Sequence, residues 1–119
     1  MFRTQIDHIL ENCEGALAGT VMGFDGVSLE AVSTKPNLDV KMVSTEFSFV
    51  LSQVRKAAEI LEVGGLEEVS IRSEHLDFLV RVLNTDYFLA IIMAPDGNLG
   101  KGRFLMRLAQ TEIRPQLDG

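Results

Sequence analysis

The sequence predicts an α/β (α+β) domain: a single five-stranded, mostly antiparallel sheet with three helices, in the order α-β-β-α-β-β-β-α. Three observations predict it. Between residues 40 and 63 the chain runs without Gly or Pro, and its apolar residues recur at helical spacing. Five apolar runs, at 17–23, 27–33, 66–73, 76–83 and 87–94, carry strand patterning and are divided by turn residues. The connections within the first pair and the last three are short enough for hairpins, which makes neighbouring strands antiparallel. Three helices must then cover two faces. The long central helix is placed on one face and the terminal helices on the other, as a single domain over residues 1–119.

The first helix spans 2–13. Phe2, Ile6, Ile9, Leu10 and Cys13 share a face, Arg3, Asp7 and Glu11 look outward, and Gly15 is a stop signal. Phe24-Asp25-Gly26 joins the first two strands, with Asp-Gly supplying the positive-φ residues of a tight hairpin. Gly19 and Gly23 weaken a lone strand, so they suggest close approach by another element, or a bulge. Residues 34–39 form a loop in which Asp39 is suited to cap the long helix.

The long helix is expected over 40–63, closed by Gly64-Gly65. Helix residues advance by about 100°. Val40, Val43, Phe47, Val50, Leu51, Val54, Ala58 and Leu61 therefore fall within one arc, the expected core stripe. Met42, Phe49 and Ile60 form a second, narrower stripe. Ser48, Ser52, Arg55 and Glu59 lie on the remaining side, where water is expected. A helix with two apolar stripes needs two partners, and the second is either a further part of this chain or another copy of it.

Of the last three strands, 87–94 is apolar on both faces, which places it mid-sheet. Glu74-His75 and Thr85-Asp86 are hairpin turns, and residues 95–98 form a turn. A last helix is expected over 99–113, stopped by Arg114-Pro115. Arg103, Arg107, Gln110 and Arg114 make a basic edge along it.

The chain is 46% hydrophobic and 24% charged, which suits a packed domain. A net charge of -6 argues against nucleic acid as the main partner. Cys13 is the single cysteine, so no disulfide forms within the chain, as suits a reducing cytosol. The start has no long apolar run of a signal peptide, and 87–94 is too short to span a bilayer as a helix. A cytoplasmic protein without membrane insertion is expected.

Catalytic chemistry needs convergent groups, and the sequence offers few. His8 and His75 lack partners at metal-ligand spacing. Cys13 belongs to an apolar stripe, where a thiol packs as a small hydrophobe. Residues 97–102, GNLGKG, lack the Walker spacing and read as a turn and helix cap. Asp25 and Asp96 are turn formers beside glycines. The expectation is a non-enzyme with no catalytic residues, no cofactor and no metal.

The order of elements, Gly23-Phe24-Asp25-Gly26, the long helix ending at Gly64-Gly65, and Asn98-Leu99-Gly100-Lys101-Gly102-Arg103 together resemble the roadblock / dynein light chain family, whose fold is profilin-like. The resemblance covers nearly the whole chain. It implies a homodimer in which the third strands pair edge to edge and the central helices pack side by side. Carried onto this sequence, the strand contact falls on Val69 and Ile71, and the helix contact on Met42, Phe49, Gln53 and Ile60. It also implies a partner, a small Ras-like GTPase, as for the bacterial MglB-type regulators. Stimulated hydrolysis would then come from ordering the GTPase's own loops. Ser48, Ser52, Arg55 and Glu59 are the candidate partner surface. The alternatives are a dimeric scaffold for a motor or signalling complex without a GTPase, and a PAS-type ligand sensor.

Overall fold

In the computed structural model, which describes residues 2–118, turn chemistry divides the chain into the expected elements. They are α1 (Arg3–Asn12), β1 (Ala16–Gly23), β2 (Ser28–Ser33), α2 (Val40–Leu61), β3 (Glu68–Arg72), β4 (Asp77–Val82), β5 (Tyr87–Met93) and α3 (Leu99–Asp118). Gly26 takes φ 89° in the first hairpin, and Asp25 Oδ1 accepts the Val27 N–H at 3.0 Å. Asn84 Oδ1 accepts from the N–H groups of Asp86 and Tyr87 and so shapes the last hairpin. All strand pairs are antiparallel, in the order β2-β1-β5-β4-β3. The doubly apolar β5 lies mid-sheet, as its pattern requires.

Each face of the sheet carries its own core. On one, α1 and α3 cover Val21, Leu79, Leu89, Ile91 and Met93 with Ile6, Ile9, Leu105, Met106 and Ile113. A Cβ on Gly19 would come within 2.8 Å of both Ile6 and Ile91, so glycine there lets α1 sit close to β1. The other face carries α2, which packs on β1 and β2 over Ala18, Met22, Phe88, Ala90 and Ile92.

Asp39 caps α2, its side chain accepting the Met42 N–H at 3.0 Å. The helix ends earlier than expected. Glu62, not a glycine, takes the left-handed position (φ 55°), and its N–H bonds back to Ala58 and Glu59 carbonyls. At the other end α3 continues past Ile113 through Pro115 to Asp118. Proline there removes one N–H from an exposed stretch. Half-buried Leu117 packs against the core, and Asp118 accepts from Asn84 at 3.0 Å, which holds the last turn.

The roll of α2 differs most from expectation. Its buried residues are Val40, Ser44, Ser48 and Leu51, so the helix is turned toward its serines. Val50 and Leu61, expected in the core stripe, are exposed. Ser48, expected in water, is fully buried. Two contacts with the β1–β2 hairpin explain the turn. Ser52 Oγ donates to the Phe24 carbonyl at 3.5 Å. The Arg55 guanidinium lies 3.9 Å from the centre of the Phe24 ring, a cation–π contact. Phe24 in turn packs on Phe88, ring centres 5.2 Å apart.

Candidate protein-interaction surface

Turning its serines inward leaves α2 with a broad apolar outer face. Met42, Phe49, Val50, Ile60 and Leu61 are exposed, Phe49 at 61% and Ile60 at 75%, and Gln53 lies among them. Large side chains left this open in one row cost roughly 25 cal/mol for each Å² of apolar surface kept in water. Single exposed apolar residues are ordinary, whereas several in a ridge along one side of a helix suit a protein contact; Glu46, Gln53 and Lys56 are exposed among them.

The ridge borders an open part of the sheet. Because α2 packs on β1 and β2, it does not cover β3 and β4 to the same depth. An apolar groove of about 330 Å³ remains there, lined by Met42, Val43, Phe47, Ile71, Leu76 and Phe78 among others. Phe47 and Phe78 stack at its base, ring centres 4.7 Å apart. Val69 and Ile71, the strand residues expected at a contact, are half-buried on this same face.

Beyond the groove the sheet ends at β3. Val82 N–H bonds to the Glu67 carbonyl, and Ser73 N–H to the Leu76 carbonyl. Since backbone direction alternates along a strand, residues 67, 69, 71 and 73 turn their backbone groups to β4. Glu68, Ser70 and Arg72 turn theirs to the open edge. An edge of this kind is a template for another strand. Its side chains on the α3 face are charged and tied down. Glu68 meets Arg103 at 3.4 Å and Arg81 at 4.0 Å, and Arg72 Nε donates to the buried Asp77 at 3.4 Å.

Of the residues expected at a contact, Met42 and Ile71 line the same groove, Val69 is half-buried on that face of the sheet, and Phe49, Gln53 and Ile60 are exposed on α2. The structure does not bring Ser48, Ser52, Arg55 and Glu59 to a common surface. Ser48 is buried, Ser52 and Arg55 are half-buried against the hairpin, and Glu59 alone is exposed. Val50, Leu61, Leu76 and Phe47 belong to the open region and were not singled out for it. Their apolar character was visible, but the wheel gave no means of fixing the roll of α2.

The residues considered for chemistry stay apart. His8 and His75 are exposed. Cys13 is buried, its thiol donating to the Asn98 carbonyl at 3.4 Å; burial pushes its pKa above the usual thiol value, and the charge of Lys101 partly offsets this. Asn98 Oδ1 accepts the Lys101 N–H, so the glycine-rich segment is a helix cap. Among the described residues no three His, Cys, Asp or Glu side chains gather as metal ligands. Among them, too, no helix is long and apolar enough to cross a membrane.

This architecture recurs in solved structures. The crystal structure of MglC from Myxococcus xanthus shares 38% sequence identity with this chain, covers 97% of it and 98% of its own length, and superposes with a TM-score of 0.71. The chain belongs to the roadblock / dynein light chain family. The roadblock/LC7 domain from Streptomyces avermitilis is 14% identical and covers 98% of this chain and 97% of its own, at a TM-score of 0.86. MglB from Myxococcus xanthus is 12% identical and covers 98% and 94%, at 0.85. These two show the roadblock fold alone. No family model matches the sequence, and no curated protein does.

Proposed function

We propose that this roadblock protein is a non-catalytic homodimeric adaptor that regulates a small Ras-like GTPase. One observation carries the reading: the apolar ridge of α2 continues into the open groove and ends at the unpaired edge of β3. A second copy related by a two-fold axis offers the same three features in reverse order, so each satisfies the other. The edges pair into one ten-stranded sheet, and the two α2 ridges close over the grooves. Likeness to MglC at 38% identity supports a place beside a GTPase regulator of the MglB type.

In this reading the partner GTPase is bound by the α2 side of the dimer, with Glu59 and its exposed neighbours at the rim. Stimulated hydrolysis, where it occurs, comes from holding the GTPase's own loops in order. Two measurements test it. Light scattering at tens of micromolar should give twice the chain mass, and a monomer there refutes the dimer. Pull-downs with GDP-loaded and GTP-loaded Ras-like GTPases of the same genome should recover one nucleotide state in preference. A dimer that recovers none in either state is a scaffold of another kind.

A further inference from the structure

The face opposite α2 carries a feature that the dimer alone does not use. Four of the chain's eleven Lys and Arg residues, Lys101, Arg103, Arg107 and Arg114, lie on α3, in a chain of net charge -6. Three of them are aimed the same way. Arg103 Nη2 donates to Ser70 Oγ of β3 at 2.9 Å, and Gln110 Nε2 donates to the Val82 carbonyl of β4 at 3.1 Å. That side of α3 therefore faces the β3 edge. Arg107 and Arg114 follow Arg103 and Gln110 by four residues each, a rotation of about 40°, and so lie on the same side. Both are exposed. Arg114 meets Asp118 at 3.7 Å, whereas Arg107 makes no salt bridge among the described residues.

Pairing of two β3 edges places two such walls opposite each other. Each α3 packs on β4 and β5. The two helix axes are then about four strand spacings apart, roughly 19 Å at about 4.8 Å per strand. Helices with side chains are about 10 Å wide, so about 9 Å is left between them, close to the width of one more helix. The floor is Glu68, Ser70 and Arg72 of both strands, and each Glu68 is already met by Arg81 and Arg103. What remains for a newcomer is Arg107 on each wall, with Arg114 beside its Asp118.

Resting on the dimer reading above, we infer that this trough is the docking site for an acidic helical segment of another protein. Its carboxylates meet Arg107 and Arg114 of the two subunits, and its axis follows the groove. A lipid surface fits less well, because a concave trough between two helices admits a rod and not a flat bilayer.

The test uses the full chain, with its mass read by light scattering. The probe is an alanine-based helical peptide carrying glutamates along two sides, followed by fluorescence anisotropy; the same peptide with lysines is the control. The acidic peptide should bind at low salt and weaken as salt rises. Arg107→Glu/Arg114→Glu should lose at least about tenfold in affinity while remaining dimeric, and Arg107→Gln/Arg114→Gln should fall between. Equal binding by variant and wild type, or of the lysine peptide, overturns the site. So does capture by phosphatidylglycerol vesicles without capture of the peptide. A dimer that ignores the acidic peptide removes the trough alone, whereas a monomeric wild type removes the dimer reading and the trough together.

Discussion

The two faces of the sheet hold comparable apolar strands but reach closure differently. On the α1/α3 side two helices meet over the strands, and Ile6, Ile9, Leu89, Ile91 and Ile113 are all fully buried. On the α2 side a single helix lies off-centre, over β1 and β2, and leaves the flank next to β3 open. The first face is complete within one chain. The second leaves apolar side chains and a groove open within one chain. The difference teaches that α2 has two jobs: its serine side holds the hairpin, and its apolar side is offered outward.

The largest expected effect separates the faces most sharply. Ile91→Ala leaves a cavity in the closed face and should cost about 2–5 kcal/mol of unfolding free energy in a urea titration. If the loss is under about 1 kcal/mol, the closed face is not the main core. Phe49→Asp should behave in the opposite way. The side chain is mostly in water, so the fold of the single chain should change by no more than about 0.5 kcal/mol. The dimer mass should nevertheless be lost, together with any dependence of melting temperature on protein concentration. A Phe49→Asp protein that stays dimeric moves the interface elsewhere.

The element order was legible because each boundary carries its own local chemistry: Asp39, Asn84 and Asn98 side chains accept from nearby backbone N–H groups. The face assignments followed from the need for three helices to cover both faces of one sheet. The roll of α2 was not legible. Periodicity weighs serine as polar, but Ser48 Oγ donates to the Thr45 carbonyl of its own helix, so its hydroxyl is paired, whereas that of the equally buried Ser44 is not. The deciding contacts, Ser52 and Arg55 on Phe24, join residues 28 and 31 positions apart by contacts that no helical repeat encodes. The open groove was hidden for a related reason, since it exists only once α2 is placed over one half of the sheet. Pro115 misled because its propensity concerns helix interiors, whereas here contacts of Leu117 and Asp118 secure the turn around it.

A smaller effect sharpens the account of α2 itself. Asp39→Ala removes the acceptor for the Met42 N–H and should cost about 1 kcal/mol. Asp39→Asn keeps an acceptor and should recover most of it. Because Met42 stands at the start of the outward ridge, the loss should be larger when measured on the dimer by dilution than on a Phe49→Asp background. Equal losses in both would mean that the cap serves the single chain only.

The smallest effect concerns Cys13, on the closed face. Burial raises its folded-state pKa above the ordinary thiol value of 9.0. A group with a raised folded pKa holds its proton more tightly when folded. Its effect on stability is therefore constant below about pH 9 and turns unfavourable as pH climbs from there through the folded value. Cys13→Ala should leave stability at neutral pH changed only by the lost packing, and should flatten the part of the alkaline decline that belongs to the thiol. Alkylation follows the same logic, because the thiolate is the reactive form and the folded chain both withholds the proton and covers the sulfur. Iodoacetamide at pH 8 should label Cys13 far more slowly in the native protein than in urea. Rapid native labelling would mean that α1 lifts from the sheet often enough to expose it, and that the closed face opens more readily than its packing indicates.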